Sequence, residues 1–151
     1  MLNLSRSAWS RHTVAVLVLL VVAACSSNDE PTAAEAGLTL KTQILELLKQ
    51  RNADDVTITD PGGRNIPCGE GKAKQTFAAT GKDLPERKPD ILRSMLLGTL
   101  DHIAQYEITN PESVNKPIRV ANSTLKTILV LDSPSNGLYA VSGETECLVV
   151  S

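Results

Sequence analysis

The chain has 151 residues, 42% of them hydrophobic and 21% charged, with a formal net charge of −2. That length allows one domain with a tail. Slight acidity and only 3% aromatic residues argue against a nucleic-acid partner, which calls for a basic patch and stacking rings.

Residues 1–13 hold Arg6 and Arg11, and no acidic residue precedes Asp29. Val14 to Ala24 are eleven consecutive apolar residues, and Cys25 follows. As a helix that run extends only about 16 Å, whereas a membrane span takes roughly 20 apolar residues. A positive start, a short apolar core and small residues at its end describe a secretory leader, residues 1–24.

The end of the run, Val22-Ala23-Ala24-Cys25, resembles the lipobox of bacterial lipoproteins. In that family the cysteine thiol receives a diacylglycerol and the peptide bond before it is cut. A thiol is needed because it is the nucleophile that forms a stable thioether. Small residues before it let extended backbone enter a peptidase cleft. The resemblance, confined to these first 25 residues, implies that Cys25 is a lipid attachment site. Two acyl chains hold stably where one holds only marginally. It therefore implies a chain anchored at the extracytoplasmic face of a cell membrane without a spanning helix. An ordinary cleaved signal that leaves Cys25 a thiol, and an uncleaved anchor, are the other readings.

Removing residues 1–24 takes away Arg6 and Arg11, leaves 127 residues and moves the net charge from −2 to −4. Ser26 to Gly37, "SSNDEPTAAEAG", contains no large apolar residue and cannot offset its ordering entropy by burial. Residues 25–37 are therefore expected to be a lipidated cysteine and a flexible tether, the twelve residues after Cys25 spanning at most about 40 Å. Residues 38–151 are expected to form the globular domain. Cys68 and Cys147 are then the remaining thiol pair of an exported chain, and a disulfide between them is predicted. It would stabilise by about 4.5 kcal/mol in the chain-entropy treatment of a loop of roughly 80 residues.

Leu40, Ile44, Leu47 and Leu48 have the spacing of an amphipathic helix ending near Arg51. "DVTITD" alternates as a half-buried strand and stops at Pro61-Gly62-Gly63; residues 64–71 read as a loop. "KAKQTFAATG" reads as a second strand with Gln75, Phe77 and Ala79 on one face. Pro89 opens a second helix, striped by Leu92, Met95, Leu96, Thr99, Ile103 and Tyr106, with Gly98 inside it suggesting a close backbone approach. "IRVAN", "LKTILVLD", "GLYAVSG" and "TECLVV" are strand-like.

Ile58-Thr59-Asp60-Pro61 is echoed by Ile108-Thr109-Asn110-Pro111. Two related α-β-β halves, or two unrelated strand-ending turns, would both produce the echo. The expected fold is α+β, an antiparallel sheet with two helices on one face.

Chemistry is scarce in the sequence. After the leader one histidine remains, His102, beside Asp101 on the second helix and off its apolar stripe. It reads as an exposed surface residue rather than a catalytic base. One histidine and two bridged cysteines give no zinc set, and neither a metal nor a cofactor is called for. Ser113-x-x-Lys116 and Ser123-x-x-Lys126 lack a companion K-T-G, and "CGEGKAK" is not a phosphate loop. Asp54, Asp55, Glu144 and Glu146 read as solvated acids, the last two in a turn.

The leading expectation is a non-catalytic binding or accessory module of the bacterial envelope. The alternatives are a small inhibitor or immunity-type protein acting on a surface enzyme or toxin, and a carrier of small apolar ligands between sheet and helices.

Overall fold

The computed structural model describes residues 30–110 and 115–150. The leader and Cys25 lie outside the described residues. In chain order the elements are α1 (Ala33–Gln50), β1 (Asp54–Asp60), β2 (Ile66–Gly69), β3 (Lys72–Lys74) and β4 (Thr76–Lys82). They continue with α2 (Pro89–Leu100), β5 (Glu107–Ile108), β6 (Ile118–Asn122), β7 (Thr127–Ser135), β8 (Leu138–Thr145) and β9 (Leu148–Val149).

Helix α1 starts seven residues before the apolar periodicity does. Thr32 caps it: its hydroxyl accepts from the Glu35 N–H at 3.3 Å, and Glu35 accepts from the Thr32 N–H at 2.9 Å. Ala33 and Ala36 are then buried against Ala73 and Leu148. The expected tether is thus corrected. Its second half is helix, because alanines small enough to let α1 lie close to β3 and β9 supply the burial that large residues would otherwise provide. The boundary of the ordered domain moves from residue 38 to Glu30, where Lys126 grips the Glu30 carboxylate at 2.9 Å.

The main sheet runs β1-β4-β8-β7-β6-β5, every pair antiparallel; a smaller one runs β2-β3-β9. Helix α1 packs on β4 and β8, and α2 on β7, all on one face. Leu40, Ile44, Leu47 and Leu48 of α1 meet Phe77, Ala79, Tyr139 and Val141, while Leu92, Leu96 and Leu100 of α2 meet Leu129 and Leu131 in one buried cluster. The α+β architecture follows: helices on one face, and on the other no helix among the described residues.

Several local expectations change. Residues 66–69 are not loop but strand, paired with β3. The predicted second strand breaks at Gln75, whose N–H donates to Thr145 Oγ1 at 3.0 Å, so β3 joins one sheet and β4 the other. Gln75, Phe77 and Ala79 do share the buried face. Helix α2 stops at Leu100, with Ile103 and Tyr106 beyond it; the Tyr106 hydroxyl nonetheless turns inward to Gln43 and Thr127. Gly143-Glu144-Thr145 is strand rather than turn. A Cβ on Gly98 would meet nothing within 4 Å, so no close backbone approach accounts for that glycine. Strand β1 is exposed along nearly its whole length, because it is an outer strand beyond α1.

The echoed segments occupy the two opposite edges of the main sheet, β1 and β5. Each asparagine or aspartate pins its edge strand to the start of the next strand inward. Asp60 accepts from Thr76 Oγ1 at 2.6 Å, and Asn110 accepts from the Arg119 N–H at 2.6 Å.

Candidate functional site

Directly opposed residues of antiparallel strands share a face, so the strand register maps the uncovered side of the main sheet. One row across it is Asp60, Ala78, Ser142, Val130 and Arg119. A second is Thr76, Glu144, Ile128 and Ala121; a third is Thr80, Ala140 and Asp132. Small side chains in the middle and larger ones around them leave a shallow depression of about 340 Å³ lined by Ala78, Ile128, Val130, Ser142 and Gly143. A neighbouring hollow of about 160 Å³ continues it past Thr80 and Ala140.

Fixed charges frame the depression. Glu144 takes Lys74 Nζ at 2.7 Å and Arg119 Nη2 at 3.4 Å, one on each carboxylate oxygen. The hydrogen bond from Lys74 holds the Glu144 carboxyl below its ordinary pKa, with the Lys74 and Arg119 charges acting the same way against partial burial. At the opposite end the Thr76 hydroxyl and then the Gly62 N–H do the same for Asp60. Asp132 lies 3.6 Å from buried Arg93. Glu144 and Asp60 are therefore ionised at neutral pH, and the face carries the Asp60 carboxylate at one end of its central row and the Arg119 guanidinium at the other.

A small-molecule site encloses most of its ligand in a concave pocket; here one sheet forms a floor without walls. The layer between sheet and helices is filled by side chains at 0–1% exposure, including Leu40, Ile44, Phe77, Leu96, Leu129 and Tyr139.

Cys68 and Cys147 are joined in a disulfide, with Cα atoms 6.0 Å apart. It ties β2 to the segment before β9, beside the start of α1. His102 is exposed in the turn after α2, where its backbone N–H donates to the Thr99 carbonyl at 3.1 Å. Ser123 and Lys126 lie in the turn between β6 and β7, where Lys126 binds Glu30 and Glu146, the latter at 3.6 Å, rather than serving a nucleophile. Asp55 is paired with Lys82 at 2.8 Å at the surface. Among the described residues, no three His, Cys, Asp or Glu side chains gather as metal ligands, and no helix is long and apolar enough to cross a membrane.

The open face was missed in the sequence. Its signal is the alternate positions of β4 and β8, where Thr76, Ala78, Thr80, Ala140 and Ser142 are small while their neighbours Phe77, Tyr139 and Val141 are large. Strands reading small-large-small describe a sheet covered on one side only. No family model, no curated protein and no solved structure matches this chain.

Proposed function

We propose that this chain is a bacterial lipoprotein, anchored through lipid on Cys25 at the extracytoplasmic face of the membrane. It acts as a non-catalytic binding module that offers the open face of its main sheet to a protein partner. The observation that carries the reading is the junction in the sequence: eleven apolar residues, Val22-Ala23-Ala24-Cys25, then polar residues at once. The capped start of α1 at Thr32 supports it, because a helix capped seven residues after Cys25 suits a chain processed at that cysteine. The uncovered face supports a protein partner over a small ligand, since its floor is flat, its centre small and apolar, and its frame charged.

Intact-mass measurement of the protein extracted from its native membrane tests the anchor. The expected species begins at Cys25 and carries acyl chains, and Cys25→Ser releases the protein from membranes. A mature chain starting elsewhere, or one bearing no lipid, refutes the anchor. Crosslinking in the same membranes tests the partner, expected through residues around Val130 and Ser142. If the captured partner is an enzyme or toxin that loses activity on binding, the inhibitor reading replaces the accessory one.

A further inference from the structure

We infer that the flank formed by Leu38 of α1 with Val56 and Ile58 of β1 rests on the lipid bilayer itself. The inference builds on the lipid-anchor reading and specifies how the anchored domain sits.

Leu38 is 66% exposed, Val56 44% and Ile58 46%. They lie on one side of the molecule. Ile58 is opposite Ala79 and Val56 lies beside Gly81 and Leu48, so both point to the helix-covered face. Helix α1 covers β4 and β8 but stops short of β1, which leaves the two residues overhanging its flank. Leu38 borders the same side, across a cleft from Pro61, Gly62 and Gly63.

A second copy of the chain is a poor occupant. Antiparallel pairing of two β1 strands about Thr57 would set Asp54 against Asp60, and like charges directly opposed are destabilising. The strand is also interrupted by two register shifts and by Asp55 at φ 48°, devices that blunt an edge.

The bilayer is favoured by the length of chain that leads to it. Four residues, 26–29, separate Cys25 from Glu30, which pairs with Lys126 of the domain; the five steps from Cys25 to Glu30 span about 18 Å when fully extended. Leu38 lies only about 8 Å further along α1 from its first residue. The anchor thus holds this end of the domain at the headgroups and gives any nearby surface a millimolar effective concentration of lipid. Three part-exposed apolar side chains suffice under those conditions and would not in free solution. The charges of β1 are already offset at this edge, Lys82 pairing with Asp55 at 2.8 Å, so docking depends on apolar contact and not on anionic lipid.

All described elements lie within residues 30–150, so the chain from Cys25 to Ser151 carries the fold. With the disulfide closed, its one free thiol is Cys25, and the sole tryptophan of the full sequence, Trp9, is absent. Coupling Cys25 to a maleimide-bearing lipid in phosphatidylcholine vesicles imposes the anchor chemically, so the outcome is independent of whether the cell lipidates Cys25. Leu38→Trp is then compared with Ile91→Trp, on the other helix, using acyl-brominated phosphatidylcholine as quencher. Quenching at position 38 is expected to exceed that at 91 at least threefold, to be unchanged by added anionic lipid and to fall by half with Ile58→Glu. Equal quenching at both positions, or none at 38, overturns the inference. So does a tryptophan at 38 already shielded without lipid in a chain that sediments as a dimer.

Discussion

Asp83→Asn is expected to remove about 2–3 kcal/mol of stability at neutral pH. Asp83 opens the loop between β4 and α2, and its side chain is only 8% exposed. It accepts from the Leu84 N–H at 2.6 Å, from Arg87 at 2.8 and 2.9 Å on its two oxygens, and from the buried Tyr139 hydroxyl. Arg51 Nε in turn donates to Tyr139 at 3.2 Å, so one carboxylate links α1, β8 and the loop before α2. Burial pushes the Asp83 carboxyl up, but the hydrogen bonds from Tyr139 and Leu84 and the Arg87 charge outweigh it, leaving the group below its ordinary pKa. Asparagine keeps the shape but turns an amide donor toward donors. A hydrogen bond to a charged group contributes about 1.5–3 kcal/mol, and breaking a fully buried pair costs about 3–5. Arg87 is 35% exposed, so the lower part of that range applies. For a domain of this size the loss lowers Tm by roughly 10 °C.

Urea unfolding followed by far-ultraviolet circular dichroism measures the gap between wild type and variant. Because the folded pKa of Asp83 is depressed, its contribution is complete above the unfolded value of about 3.9 and fades as pH falls through the lower folded value. The gap should be equal at pH 7 and pH 5 and narrow only below about pH 3.9. A gap under about 1 kcal/mol, or one unchanged down to pH 2, refutes the account.

Replacing Cys68 and Cys147 together by serine should cost about 4.5 kcal/mol in the chain-entropy treatment, read as a lower urea midpoint of the variant relative to the oxidised wild type; an unchanged midpoint would show that the unfolded chain gains nothing from opening this loop. Gly98→Ala, exposed in the last turn of α2 with nothing near its added methyl, should stabilise by about 0.5–1 kcal/mol through helix propensity, measured in the same titration. Gly37→Ala should do the opposite despite its place in α1. Its Cβ would come 2.1 Å from the Oε1 of Gln75, whose side chain is held by Asn65 at 2.8 Å, for a loss of about 1–3 kcal/mol.

The layer plan was legible in the sequence because it rests on periodicity. Leu40, Ile44, Leu47 and Leu48, and Leu92 and Leu96, repeat as helices do, and Phe77 and Ala79 alternate as a strand does. What stayed illegible depends on small residues. Ala33 and Ala36 carry no hydrophobic signal of their own, yet they bury completely because Ala73 on β3 is equally small. Val56 and Ile58 alternate like an inward face but stay exposed, since alternation tells which side a residue takes and not whether a helix reaches that far. The Cys68–Cys147 bridge was readable by counting thiols. The open face was not, because its mark is the absence of large side chains at Ala78, Ala140 and Ser142.

The two proposed surfaces should be separable by mutation, since they lie on different sides of the same sheet. If β1 and Leu38 face the bilayer, the main sheet stands on its β1 edge with β5 outermost, and the open face looks sideways, free for a partner. Ser142→Arg sets a long cation in the middle of the central row, between Ala78 and Val130, where a depression of about 340 Å³ lies. Ser142 is exposed, so stability should shift by no more than about 0.5 kcal/mol, and quenching of a tryptophan at position 38 should not move. Partner capture in native membranes should fall at least tenfold. Ile58→Glu should show the converse pattern, reduced quenching with capture intact. If Ser142→Arg captures its partner as well as wild type does, the open face is not the binding surface, and the two-sided arrangement fails with it.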